Sequence, residues 1–268
     1  MKKLLIYPVK FLLFNGALLT VALAINYSNA QTIFISENFS TASGTTPPAG
    51  WSQTLITGDP LVDSFHFDNP CTRALNAPIT DPAAIFDSDC YSGGGGAEDV
   101  ILESPVFNAT AATIVILELD QYFQGGFGGE VFVEVFNGAT WDTIYTTNVS
   151  TPNPDQQVID ISANVAGVFN AQVRFRWTGN FSWWWLIDNV LVYEPGPDDV
   201  GVIAIDAPTS GCGLTTGESI TVRVSNFGTA IQTAIPVSYR INGGIPINEI
   251  IGGPLNPGDT LSYTFIAT

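Results

Sequence analysis

The chain has 268 residues, 46% hydrophobic and 12% charged, with a formal net charge of −17 at pH 7. All three lysines, Lys2, Lys3 and Lys10, fall in the first thirty residues, so the remainder sets five arginines against 25 acidic residues, a formal charge of −20. That balance excludes nucleic acid and anionic membrane as partners, since both call for a basic face. It suits divalent cations, and it equally suits plain solubility.

Residues 1–30 read as a secretory signal peptide: a basic start, an apolar run from Phe11 to Ala24, and Ser28-Asn29-Ala30 before Gln31. A retained membrane anchor is the alternative, for which the apolar run is short. No cysteine follows the cleavage point, so no lipoprotein anchor is expected, and membrane contact would come only through the leader or an anchor outside this sequence. Residues 31–268 exceed one small sandwich, and their Gly, Pro, Thr, Val, Phe and Trp content without helical periodicity predicts an all-β protein.

In chain order, Thr32 to Phe39 is a first strand with Ile33, Ile35, Glu37 and Phe39 on one face. Residues 52–100 are loop-rich and acidic, holding Asp59, Asp63, Asp68, Asp81, Asp87, Asp89, Glu98 and Asp99, with a glycine run at 93–96. Asp87-Ser88-Asp89 resembles the opening of a calcium loop, but Tyr91 and Ser92 stand where an EF-hand needs a ligand and a turn glycine. Cys71 and Cys90 could close a loop in an exported chain, leaving Cys212 odd; spacing alone does not show that their Cβ atoms meet.

Strands follow at 112–123, where Val115, Leu117 and Leu119 alternate with Glu118 and Asp120, and at 130–136 and 141–147, which flank Asn137-Gly138, a hairpin signal. Residues 171–177 put Val173, Phe175 and Trp177 on one face and Arg174 and Arg176 on the other. The strand at 180–194 aligns Trp184, Leu186, Asp188, Val190 and Val192. Asp188 thus sits on an apolar face and needs a cation, strong donors or a proton.

First and last strands of a sandwich often lie side by side, which would bring Glu37 near Asp188. Two close carboxylates call for a cation, and Ca2+ with six to eight oxygen ligands fits an extracellular protein. Acids of the 63–99 loops would complete the set. The alternative is that both acids sit at strand ends and reach water. Trp183 and Trp185, on the face opposite Asp188, are either ligand-stacking residues or core. His66 is the single histidine, and neither a Gly-x-Ser-x-Gly elbow nor a His-rich metal motif is present, so no enzyme is expected.

Pro195 to Asp199 closes a domain spanning 31–196, and 197–268 shows the strands of a second sandwich, four or five where an immunoglobulin-like domain has seven. The expected fold is a jelly-roll β-sandwich followed by a truncated immunoglobulin-like one.

The succession Glu37-Asn38-Phe39, Pro48-Ala49-Gly50-Trp51, Asp99 to Pro105, Trp141, Val173-Arg174-Phe175 and Trp185 to Val190 resembles MAM-like, choice-of-anchor J and cleaved-adhesin domains of secreted Bacteroidetes proteins. Asp199-Val200-Gly201-Val202, Ser210 to Leu214, Glu218 to Val222 and Asn226-Phe227-Gly228 resemble the CARDB-type modules that follow them. The resemblance implies a jelly roll with structural Ca2+, held by Glu37 and Asp188 first and Asp99 next. Asp68, Asp87 and Asp89 enter as ligands on local chemistry. It also implies type IX secretion, a secreted or cell-surface location, and adhesion to an extracellular glycan or protein. Accessory spacer domains of a larger exported hydrolase, such as a peptidase, are the alternative.

Overall fold

Apolar residues that alternate with polar ones, broken by Gly and Pro, can bury one face only as sheets, and sheets are what form. The computed structural model describes residues 9–13, 17–23, 31–91, 96–209, 214, 217–242 and 244–266, with backbone alone at 9–13, 17–23 and 91. Cys212, the segment 210–213, the glycines at 93–95 and Gly243 lie outside these. Two units separate: Thr32–Glu194, and Pro195–Thr268 with Met1–Gln31.

Within the N-terminal segment, β1 (Val9–Leu13) and β2 (Ala17–Leu23) form an antiparallel hairpin. β2 pairs with a strand of the second unit, because an apolar extended segment supplies the hydrogen-bonding groups that an open sheet edge lacks.

The unit 32–194 contains β3 (Thr32–Glu37), β4 (Ser52–Thr57), β5 (Ala84–Asp87), the single turn α1 (Ser88–Tyr91), β6 (Glu98–Glu103), β7 (Ile116–Gln124), β8 (Glu130–Phe136) and β9 (Trp141–Thr147). It continues with β10 (Asp155–Asp160), α2 (Ser162–Val165), β11 (Gln172–Gly179) and β12 (Trp184–Glu194). One sheet runs β10-β7-β12-β3, with β5 also on β12; the other runs β4-β6-β11-β8-β9. All pairings are antiparallel. The all-β sandwich expected from the sequence is therefore the architecture.

The first and last strands of this unit are neighbours, β3 on β12, while β5 covers the other half of the same edge. Between the sheets lie fully buried rings: Phe86 against Trp177 at 4.9 Å, and Phe175 against Trp185 at 5.9 Å. Burial of each such side chain contributes about 1.5–3 kcal/mol.

A smaller core of Ile79, Ala83, Ile85 and Leu186 lies outside the first sheet, under the 71–83 segment. That segment is tied down by a Cys71–Cys90 disulfide, Cα–Cα 6.4 Å, bridging 19 positions. By loop-closure entropy a ring of this length stabilises by about 3 kcal/mol. Reduction is expected to lower the urea midpoint accordingly, and an unchanged midpoint after verified reduction would contradict this.

The second unit pairs β13 (Val200–Ala207), β14 (Thr221–Asn226) and β17 (Thr260–Thr264) in one sheet. β15 (Gln232–Ile241) and β16 (Ile247–Leu255) form the other with β2 and β1. Ile220, Val222, Val224, Ile235, Val237 and Tyr239 enter its core as their alternation predicts, whereas Ile241 at the strand end is 46% exposed.

Candidate functional site

β12 does not keep one face along its length. Its register against β7 shifts between Asp188 and Leu191, and Asn189 takes a left-handed φ of 52°, which Asn tolerates better than most residues. Trp185, Ile187, Val190 and Val192 therefore all point between the sheets, while Leu186 packs outward. The expectation that Asp188 shares a face with Val190 and Val192 is corrected: the bulge moves those valines to the inner face and leaves Asp188 on the outer one.

There Asp188 is fully buried beneath the 78–80 backbone. Its Oδ2 accepts from the Thr80 amide at 2.9 Å and its Oδ1 from the Asn189 amide at 2.7 Å. Burial raises its pKa; the Thr80 and Asn189 amides oppose that, and the charge of Asp120 adds to it. Asp120 is the residue directly across on β7. It is 5% exposed; its Oδ2 accepts from Asn189 Nδ2 at 3.0 Å, and its Oδ1 is buried with no hydrogen-bond partner. The same Asn189 nitrogen also reaches the Pro78 carbonyl at 3.2 Å.

This donor set fits a hard cation. Two carboxylates lie side by side, one oxygen is orphaned, and a single amide nitrogen bridges two oxygens. Turning the amide over would present its oxygen instead, an orientation decided by whatever sits between. Asp188, Asp120, Asn189 and the Pro78 carbonyl would hold the ion, and the adjoining cleft of about 450 Å³ leaves room for its water ligands. Ser36, Glu37, Glu118, Asp120, Gln156 and Asn189 are among the residues lining that cleft.

Sequence reasoning missed Asp120. The signal was its place in the polar row Glu118, Asp120, opposite the inward Leu117 and Leu119.

Of the other acids expected at a metal, Glu37 lines that same cleft, whereas Asp99, Asp87, Asp89 and Asp68 are placed elsewhere. Glu37 stands across from Val190, not Asp188, and its Oε1 accepts from the Phe39 amide at 2.6 Å. Asp99 lies on the other sheet in a two-pronged pair with Arg176, at 2.8 and 2.6 Å. Asp87, fully buried, and Asp89 both belong to Arg73: Nε and Nη2 reach Asp87 at 2.6 and 2.9 Å, and Nη2 reaches Asp89 at 2.7 Å. In this structure these three acids are partners of arginine: Arg176 takes Asp99, and the single charge of Arg73 is shared between Asp87 and Asp89. Asp68 is half exposed, 4.0 Å from His66 Nδ1. Cys71, Asp87 and Cys90 converge within 4.8 Å, but the sulfurs are bonded to each other and offer no thiolate.

The six tryptophans divide clearly. Trp51, Trp177 and Trp185 are buried, and Trp185 Nε1 donates to Gln121 Oε1 at 2.9 Å, so Trp185 is corrected from ligand contact to core. Trp184 carries the Arg73 guanidinium on its ring at 3.8 Å, and Trp141 carries that of Arg174 at 4.1 Å. Trp183 is part-exposed and sits 5.6 Å from the ring of Phe127, which is 75% exposed; Phe181, two positions before Trp183 in the chain, is 47% exposed.

Phe127 and Phe181 both hold left-handed backbone, φ 52° and 50°, an unfavourable conformation for a bulky residue that the surrounding structure must enforce. The enforcement is visible. Ser182 Oγ donates to the Gly126 carbonyl, joining the two loops, and the Ser182 amide donates to Ser88 Oγ at 2.7 Å. Ser88 in turn donates to the buried Glu98 at 2.8 Å, which also accepts from Trp177 Nε1 at 2.8 Å. Gly126, at φ 146°, lets Trp183 close in: a Cβ there would stand 2.7 Å from Trp183 Nε1. The rings are thus presented on fixed backbone.

No protein-family model matches the chain, and no curated protein matches it. Among solved structures it is similar to the K3 cleaved adhesin domain of Lys-gingipain from Porphyromonas gingivalis: 15% identity, 62% of this chain and 99% of that one, TM-score 0.45. The K2 cleaved adhesin domain of Lys-gingipain gives 16% identity, 59% and 96% coverage, and TM-score 0.43. The carbohydrate-binding module TmCBM61, solved with beta-1,4-galactotriose, gives 13%, 59% and 94%, and 0.41.

Proposed function

We propose that residues 32–194 form a secreted or cell-surface, non-catalytic binding module for an extracellular glycan, built on a scaffold that holds one structural Ca2+ at Asp188 and Asp120. The observation that carries the binding role is the exposed ring group Phe127, Trp183 and Phe181, held on strained but clamped loops. Flat aromatic faces on fixed backbone give contact area at little entropic cost on binding, which favours weak, repetitive ligands such as sugar chains. Exposing rings to water while forcing their φ positive offers the free fold nothing, so a ligand is the natural beneficiary. The proposed cation would support this from a distance: between Asp188 and Asp120 it would neutralise two buried carboxylates, one on β12, the strand that leads out of the Trp183 loop, and the other facing it on β7.

Affinity electrophoresis through gels containing plant and microbial polysaccharides tests the proposal. At least one polymer is expected to retard the protein, and Trp183→Ala is expected to abolish that retardation while its melting curve stays near that of the parent. Equal retardation of Trp183→Ala and parent, or no retardation by any polymer, would refute the site.

A further inference from the structure

The ring group has a charge setting that narrows its ligand. The unit 32–194 carries nineteen Asp and Glu against Arg73, Arg174 and Arg176, with no lysine. Each of these three arginines is already paired with an acid. Arg73 is bound to Asp87 and Asp89, Arg174 to Glu134 at 2.7 Å, and Arg176 to Asp99. Each guanidinium also lies over a ring of the protein itself: Arg73 over Trp184, Arg174 over Trp141, and Arg176 6.0 Å from Phe132. A guanidinium whose charge is offset by a carboxylate and whose face meets a ring attracts sulfate or uronate less than an unpaired one. His66 is held towards its neutral form by burial, against the pull of Asp68 and Asp87.

Neutral polar groups lie beside Gly125 and Phe181, while the paired Arg73 and Asp89 lie beyond Trp184, whose ring is 5.6 Å from that of Trp183. Ser150 Oγ accepts from the Gly125 amide at 3.0 Å and from Gln124 Nε2 at 3.3 Å, and Asn180 Oδ1 accepts from the Gly96 amide at 3.0 Å. The charge next along the chain from Gly129 is Glu130, an acid. A polyanion arriving here meets like charge with no cation to offset it, at a cost that falls as salt screens it.

We propose that the Phe127–Trp183–Phe181 face binds uncharged polysaccharides and rejects uronic-acid and sulfated ones, the acidic unit acting as the selective element. This rests on the glycan-binding reading of the ring group and specifies its ligand class.

The test runs the full chain through gels containing neutral galactan, mannan or xylan, and through gels containing polygalacturonate or chondroitin sulfate, at low salt, in EDTA and in Ca2+. A neutral polymer is expected to retard the parent and not Trp183→Ala, with the anionic polymers at least about tenfold weaker in both buffers. Trp183-dependent retardation by an anionic polymer in EDTA, with neutral ones inert, would overturn the selection while leaving the glycan site standing. Retardation by anionic polymers in Ca2+ alone would also overturn it, because a bridging cation would then be reading the charge. No retardation by any polymer would remove the site itself, and the selection with it.

Discussion

Replacing Arg73 by alanine should lower the stability of the unit 32–194 by about 3–5 kcal/mol, the cost of stripping a buried ion pair of one partner. Asp87 is fully buried, and Arg73 meets it with two hydrogen bonds while a third goes to Asp89. The Asp87 hydrogen bond is also the main reason the Arg73 pKa is raised. After the substitution Asp87 keeps only the Cys90 amide, at 3.1 Å, among the partners seen here. The ring of Trp184 loses its cation as well, a contact worth about 0.5–2 kcal/mol by itself. Urea unfolding of parent and variant measures the difference. Pairing Arg73→Ala with Asp87→Asn should recover a substantial part of the loss, because the uncompensated charge is gone. A single-variant loss below about 1 kcal/mol, the scale of exposed pairs, would mean the pair is solvated and not buried.

Calcium should raise the melting temperature of the protein over that in EDTA, and Asp188→Asn should erase most of the gap. At a hundred times its dissociation constant a ligand specific to the folded state stabilises by about 2.7 kcal/mol. In chelator the sign at Asp188 reverses. Burial raises its folded pKa, so what it contributes is present at low pH and lost as pH rises through that raised value. At pH 7 in EDTA, Asp188→Asn should therefore be at least as stable as the parent, and in Ca2+ less stable. Asp120→Asn should weaken the calcium response similarly, and Asp68→Asn, at a half-exposed acid, should leave it intact. Superimposable parent curves in EDTA and Ca2+ would sink the metal centre.

The two substitutions also separate the loop anchor from the metal. Arg73 secures the 71–90 segment from the side of Trp184, whereas Thr80 and Pro78 secure it at Asp188 and Asn189. Loss at one should leave the other measurable.

Much of the inner architecture was legible in the residues. The alternations 115–119, 173–177 and 220–224 each place their apolar members in a core, because a period of two leaves a sheet one face to bury. Arg174 and Arg176 fall on the outward face as the same count requires. What a periodic count could not carry was β12 past Asp188. One left-handed residue, Asn189, shifts the side chains that follow it, and an Asn in Ile-Asp-Asn-Val permits that conformation without requiring it. Nor could it assign partners to acids. Asp87, Asp89 and Asp99 look like Asp188 in one dimension, yet each has an arginine contributed by a distant strand or loop, and Asp120 is matched to Asp188 from 68 positions away only by the register of β7 on β12.

Composition and alternation thus determined that this chain folds as sheets, that its surface is acidic, and that carboxylates interrupt apolar rows, because those follow from what each residue can bury. Tertiary structure alone decided which carboxylates are neutralised by arginine, which pair is left facing each other with an unsatisfied oxygen, and which tryptophan keeps an open face. Those depend on contacts between segments far apart in the chain. Local pattern sets what a residue needs; only the packed fold sets what it meets.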